Sequence, residues 1–270
     1  MGFGSSFAQE NTSNKANKKD FSMILPQARD FTLGIDLANF IRTINNSITN
    51  ANADNSIIAF RNDIFGKYFI TNNSAVRVRF GIGIDNFTDR SFVRDDIANL
   101  LNPLGSDPLL EIQTVDVHKN RNTTIELGIG YEYRRSLWRV QGYAGAELFG
   151  GVILSKDIYE YGNPMTATNQ TPTSSYASTT NGYRPLESVK GNTMTLGGAL
   201  FIGADFFICR NLSIGAEFNF EARYNRTGEL SMRTQTWILE QAYTAEEKIK
   251  PVVSEFKLKP MGRLNLSVYF

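Results

Sequence analysis

The chain has 270 residues, a formal net charge of +1, 41% hydrophobic residues and one cysteine. The near-neutral charge excludes a global field that would gather nucleic acid, the lone Cys209 excludes an internal disulfide, and no run of about 18 apolar residues exists to form a membrane-crossing helix. Strands that carry their apolar residues in alternation escape this last exclusion, because such a chain averages as polar.

The segment Gly2–Gln9 resembles the tail of a signal peptide, with small residues near Ala8 and no charged leader before it. Residues 10–20 are polar and read as a disordered lead-in. Residues 1–20 are therefore separated from a single domain over 21–270.

Eight alternating segments follow. The first, about Phe31 to Ile41, places Phe31, Leu33, Ile35 and Leu37 on one face. The second, Ile57 to Ile70, aligns Ile58, Phe60, Ile64, Tyr68 and Ile70. In the third, Ala75 to Asn86, the row is Val76, Val78, Phe80, Ile82 and Ile84. The fourth, Thr123 to Arg134, aligns Ile125, Leu127, Ile129, Tyr131 and Tyr133. The fifth starts near Trp138 and groups Val140, Ala144, Ala146 and Leu148. The sixth and seventh cover Thr193 to Ile208 and Leu212 to Tyr224. The eighth alternates from Arg263 to Phe270, with Leu264, Leu266, Val268 and Phe270 together.

The connections alternate in length. Turn-forming residues at 71–73, 134–136 and 210–211 make hairpin-sized links, whereas 42–56, 87–122, 155–192 and 225–258 are long. Residues 163–183 are rich in Thr, Ser and Asn and read as a mobile loop. Phe92, Ile97, Leu100 and Leu101 have the spacing of a short helix, as do Trp237, Ile238, Gln241, Ala242, Ala245 and Ile249.

The faces opposite the apolar rows decide the orientation. They carry Asp36, Arg61, Asp63, Lys67, Arg77, Arg79, Asp85, Glu126, Glu132, Arg134, Arg139, Glu147, Asp205, Glu217, Glu221, Arg223 and Arg263, nine acids against eight bases. Glycines interleave them at 34, 81, 83, 128, 130, 145, 197, 203 and 215. A solvated surface has no need of glycine at every second position, but a narrow eight-stranded lumen needs small residues opposite large ones. Balanced charges in that space can pair. The polar face is therefore expected inside and the apolar face toward lipid, with Arg77 and Arg79 reaching Glu126 and Glu132.

The units Gly66–Asn73 and Phe206–Glu217 resemble the strand–turn–strand units of small outer-membrane β-barrel proteins of the Bacteroidetes type, similar in build to the OmpA transmembrane domain and to OmpX- and OmpW-type barrels. The resemblance lies in pattern over about residues 30–270. It implies an all-β fold, an eight-stranded antiparallel transmembrane up-and-down barrel with short periplasmic turns and long extracellular loops. It also implies an outer-membrane address with both termini periplasmic, and insertion by the barrel assembly machinery guided by Leu264, Leu266, Val268 and Phe270. The chain ends at Phe270, so a following peptidoglycan-binding domain is not expected.

Nothing in the sequence points to a cofactor or metal. Gly81-Ile82-Gly83 and Gly128-Ile129-Gly130 lie inside strands and lack the following helix of a dinucleotide site. The sole histidine, His118, is near Asp116, a weak trace of the hydrolase or acyltransferase chemistry that some outer-membrane barrels carry. The expected function is non-enzymatic, a structural or surface-interaction role with the lumen plugged by ion pairs. A narrow channel for ions or very small solutes, or an accessory subunit of a larger envelope complex, is the alternative. Expected partners are outer-membrane lipid, the assembly machinery, and an extracellular or envelope protein at the long loops, with no nucleic acid.

Overall fold

The computed structural model describes residues 24–37, 40, 41, 44, 58–101, 111–176 and 183–270, excluding the side chains of 58–62. Arg61 belongs to those side chains. Eleven strands are present: β1 Phe31–Asp36, β2 Ile58–Thr71, β3 Ser74–Arg94, β4 Gln113–Leu137, β5 Val140–Glu160, β6 Tyr183–Val189, β7 Thr193–Cys209, β8 Leu212–Thr227, β9 Leu230–Ile238, β10 Gln241–Lys250 and β11 Val253–Tyr269. A short helix, Asp96–Leu101, caps β3.

Eight of these strands close a ring. The order is β1, β2, β3, β4, β5, β7, β8, β11 and back to β1, every pair antiparallel. The seam is Thr32↔Tyr269 to Asp36↔Asn265, and the backbone of Phe270 exchanges hydrogen bonds of 2.9 and 3.2 Å with that of Phe31. Closure leaves no edge along the seam.

The period-two pattern located all eight wall strands but misplaced several ends. The first strand stops at Asp36, and Leu37, Phe40, Ile41 and Ile44 are helical. Their i, i+3, i+4, i+7 spacing fits a helix better than a strand. β3, β4 and β5 continue far beyond the predicted limits, to 21, 25 and 21 residues. Thr, Asn and charged residues on both faces of 87–94 and 113–122 removed the alternation there, although the pairing continues from Phe87↔Asn120 to Arg94↔Gln113. The β4–β5 turn is Trp138-Arg139 rather than 134–136, closed by Leu137↔Val140, with Trp138 at φ 62°. β11 begins ten residues before the predicted Arg263, running through Pro260, which lacks the amide hydrogen a strand ordinarily uses.

Three strands stand outside the ring. β6 pairs with the upper part of β5, β9 pairs with β6, and β10 pairs with β9. The helix expected over 237–249 is instead the β9–β10 hairpin. β-branched Thr234, Thr236, Ile238 and Thr244 favour the extended form. Its turn, Leu239-Glu240, has φ of 52° and 61°, the left-handed pair that matches strand twist in a two-residue hairpin.

Burial is inverted relative to a water-soluble protein. The buried side chains of the ring are mostly charged or polar, among them Lys67, Arg77, Arg79, Glu132, Arg134, Asp205, Glu217 and Glu221. The exposed ones are apolar: Val78, Phe80, Leu127, Ile129, Leu148, Leu196, Leu200, Ile202, Phe218, Phe220 and Leu264 form a belt around the ring. Tyr68, Tyr131, Tyr133 and Trp138 lie toward its short-turn end, also exposed. Glycines on the inner rows make room for rings. A Cβ on Gly203 would stand 2.5 Å from the Tyr143 ring, and one on Gly34 would overlap Phe65.

Candidate functional site: the lumen and its two ends

The short-turn end has an apolar floor. Phe69, Ala75, Phe207 and Tyr269 cluster there with side chains nearly solvent-free, and Ile24 and Leu25 pack beneath them. The segment before β1 is tied to the ring by Arg29 N–H donating to the Phe69 carbonyl at 2.7 Å and Ala28 N–H to Asn72 Oδ1 at 2.8 Å. Nothing in the alternation of the strands predicts this floor. Phe69, Phe207 and Tyr269 sit on the polar rows, and that anomaly was the available signal.

Above the floor the ion pairs stack in tiers. In the lowest, Lys67 Nζ is 3.2 Å from Glu132, Arg134 is 3.3 Å from Glu132, and Arg134 also pairs with Asp205. In the middle tier, Arg77 donates to Glu217 at 2.5 and 3.0 Å and to Glu147 at 3.1 Å, while the Tyr143 hydroxyl donates to Glu217 at 3.1 Å. In the upper tier, Arg79 reaches Glu147 and Glu126, both at 2.7 Å, and Asp63 at 3.6 Å. Arg223 joins Glu126 at 2.6 Å and Glu221 at 2.7 Å, and Arg263 contacts Glu221 at 3.3 Å.

Aromatic faces complete the surroundings of Lys67, Arg77, Arg79, Arg134 and Arg223. Arg77 lies 4.4 Å from the Phe201 ring centre, Lys67 4.5 Å from Tyr143, and Arg223 4.5 Å from Phe149. A guanidinium with carboxylates at its edge and a ring at its face keeps its charge with little water.

The predicted site residues are thus gathered into one column with four exceptions. Arg139 is half-buried in the β4–β5 turn, because the turn falls four residues later than the sequence suggested. Asp36 is buried at the end of β1, beside the seam. Arg61 lies outside the described side chains. Arg77 also departs from expectation, crossing the lumen to β8 rather than pairing with its neighbour β4. Glu132 is taken by Lys67 and Arg134 instead. Arg134, in the polar row, turns out to be a hub of the lowest tier. Asp85, by contrast, is exposed near the open end.

At the long-loop end the segment 161–176 folds onto the inner face of the extended β3–β4–β5 wall. Asp116, fully buried, accepts from Gly162 N–H at 2.9 Å, Ser174 Oγ at 2.8 Å and Ser175 N–H at 3.0 Å. Asn163 donates to the carbonyls of Arg94 and Thr173 at 2.6 and 2.9 Å. The mobile loop read from composition is therefore a hydrogen-bonded knot over 161–176, because its polar residues are spent on buried partners. Residues 177–182 lie outside the described set.

His118 does not pair with Asp116. Its Nε2 is 3.2 Å from Asp157 Oδ1, and its ring stacks on Tyr159 at 4.6 Å with Tyr176 tilted over it at 5.6 Å. Burial pushes the Asp157 carboxyl upward, but hydrogen bonds from Lys190 and Asn120 outweigh it and hold it below its ordinary range. Asp96 behaves alike: burial is outweighed by hydrogen bonds from Thr173 and Asn169. A carboxyl depressed in the folded state stabilises above its unfolded pKa, and that contribution disappears as the pH falls through the folded value. The protection of the Thr173 amide, which donates to Asp96, relative to its intrinsic exchange rate is therefore expected to be high at pH 7 and to be lost only as the pH falls below the ordinary carboxylate range, through the lowered folded values of these carboxyls. Protection that does not change with pH would show that the charges do not hold the knot.

No protein-family model and no characterised relative matches the sequence. Among solved structures, the outer membrane protein OprG from Pseudomonas aeruginosa is similar at 10% identity, with 91% of this chain and 98% of that chain covered and a TM-score of 0.30.

Proposed function

We propose that this chain is a non-enzymatic outer-membrane β-barrel protein with a plugged lumen and a structural or surface-interaction role carried by its long-loop end. One observation carries the reading: an exposed apolar belt surrounds a closed ring whose buried interior is charged. In water that arrangement would expose the wrong residues, whereas in a bilayer it satisfies both surfaces. The short turns and both termini then belong to the periplasmic side, and the extended β3–β5 wall with β6, β9 and β10 projects outward. Strands of 21 to 25 residues greatly exceed the roughly 9–11 needed to cross. Leu264, Leu266, Val268 and Phe270 form the terminal strand that the assembly machinery would read, and an envelope or extracellular protein would meet the projecting wall.

The plug and the floor favour a sealed barrel over the narrow channel. Planar bilayers containing the purified protein should show no stable single-channel steps. Large, stable conductance would replace this reading with the channel.

A further inference from the structure

We propose that the outer surface of β3–β5, immediately beyond the apolar belt, holds the phosphorylated headgroup of an anionic lipid in the leaflet on the long-loop side. The inference rests on the membrane reading above.

The register fixes the patch. In an antiparallel sheet, residues directly opposite share a face and lie within about 5.5 Å at Cβ. On the outer face of β3, β4 and β5 the last apolar rows are Ile82–Ile125–Val152 and Ile84–Thr123–Leu154. The next row outward is Asn86–Arg121–Lys156, then Thr88–Lys119–Ile158, then Arg90–Val117–Glu160. Four cations therefore occupy three successive rows directly above the belt.

Two of these cations have ionic partners. Lys119 lies 2.5 Å from Glu160 and Lys156 lies 2.6 Å from Glu187. Arg121 and Arg90 are exposed and have no ion pair among the described residues. Arg121 stands directly opposite Lys156, and like charges at such positions repel. An anion between them removes the repulsion, and a phosphate matches the guanidinium fork in two hydrogen bonds.

Position selects the source of that phosphate. From Tyr133, at the short-turn end of the belt, to Arg121 is twelve residues along β4. At about 3.3 Å per residue and a tilt of about 40°, that is roughly 30 Å along the barrel axis, just past an apolar band of about 25 Å. The patch adjoins the apolar rows with no intervening residue, so a ligand with a charged head and hydrocarbon tails touches both.

The full chain would be purified in mixed micelles of phosphatidylcholine and phosphatidic acid, and the lipids retained read by native mass spectrometry. The wild-type barrel should keep phosphatidic acid selectively. Each surface cation is worth about fivefold in binding an anionic headgroup, so R121Q/K156Q should lower retention by about tenfold or more. R226Q, an exposed position on the outer face of β8, should leave it unchanged. Equal retention of the two lipids, or no loss in R121Q/K156Q, overturns the proposal. So does displacement by inorganic phosphate as effective as that by phosphatidic acid, which would make this a free-anion site. Insertion into pure phosphatidylcholine vesicles separates the two readings. A barrel that inserts but shows no headgroup preference overturns this inference alone, and one that fails to insert overturns both.

Discussion

Leu127→Arg should largely prevent the barrel from assembling. Leu127 is 58% exposed in the centre of the belt, with Phe80 opposite it on β3 and Gly150 on β5. A cation facing lipid near the membrane midplane costs about 2–4 kcal/mol, a large share of the roughly 5–15 kcal/mol that holds a typical fold. The measurement is heat-modifiable migration on a cold gel, with the urea midpoint in vesicles as a second reading. The conservative Leu127→Val should assemble normally. An unchanged midpoint for Leu127→Arg would mean that this face meets water and that the two faces are assigned the wrong way round.

The second large effect belongs to Arg77→Ala. Removing this guanidinium leaves Glu217 buried without its closest cation, now at 2.5 Å, and takes from Glu147 one of its two guanidinium partners, now at 3.1 Å, with Arg79 remaining. Breaking a buried pair from one side typically costs about 3–5 kcal/mol, whereas replacing both partners by uncharged groups is far milder. Arg77→Ala should therefore lower the detergent unfolding temperature sharply. Adding Glu217→Gln should recover part of the loss, a non-additivity that a double-mutant cycle reads directly. If Arg77→Ala unfolds at the wild-type temperature, water already satisfies the carboxylates and the lumen is not a dry plug.

The barrel wall was legible because one rule governs it. Where lipid-compatible residues alternate with charged ones, as in Val76 to Ile84 or Ile125 to Tyr133, the side-chain period reports both strand and face. Where a strand projects past the belt, both faces are polar and the period vanishes. This is why 87–94 and 113–122 read as loop, although their backbone ladders continue without a break. The extra sheet was hidden for another reason. β6 pairs with β9 across a long separation and through an irregularity at Pro185–Glu187, and no local pattern encodes such a partner. The ion-pair column was legible in membership but less so in pairing. Neighbouring strands suggested Arg77 and Arg79 with Glu126 and Glu132; Arg79 does reach Glu126, but Arg77 spans the narrow lumen to Glu217 at its own height. The floor shows the same limit: Phe69 and Phe207 looked like interruptions of a polar row, and only the three-dimensional arrangement makes them a common base.

The partners in that column are far apart in the chain. Arg77 and Glu217 are separated by 140 residues, and Arg79 and Glu147 by 68. Until the ring closes, pairs that cross the lumen, such as Arg77 with Glu217, have no counterpart and must stay hydrated, so a half-built sheet carries much of its charge open to solvent. Contacts of such sequence separation form late and pay their ordering entropy before they return anything. Ring closure, through the five residue pairs of the β1–β11 seam, is then the event that lets the interior dehydrate in one step. Assembly of this protein is for that reason expected to be close to all-or-none: an incomplete ring gains little from its interior, and a complete one gains nearly all of it at once.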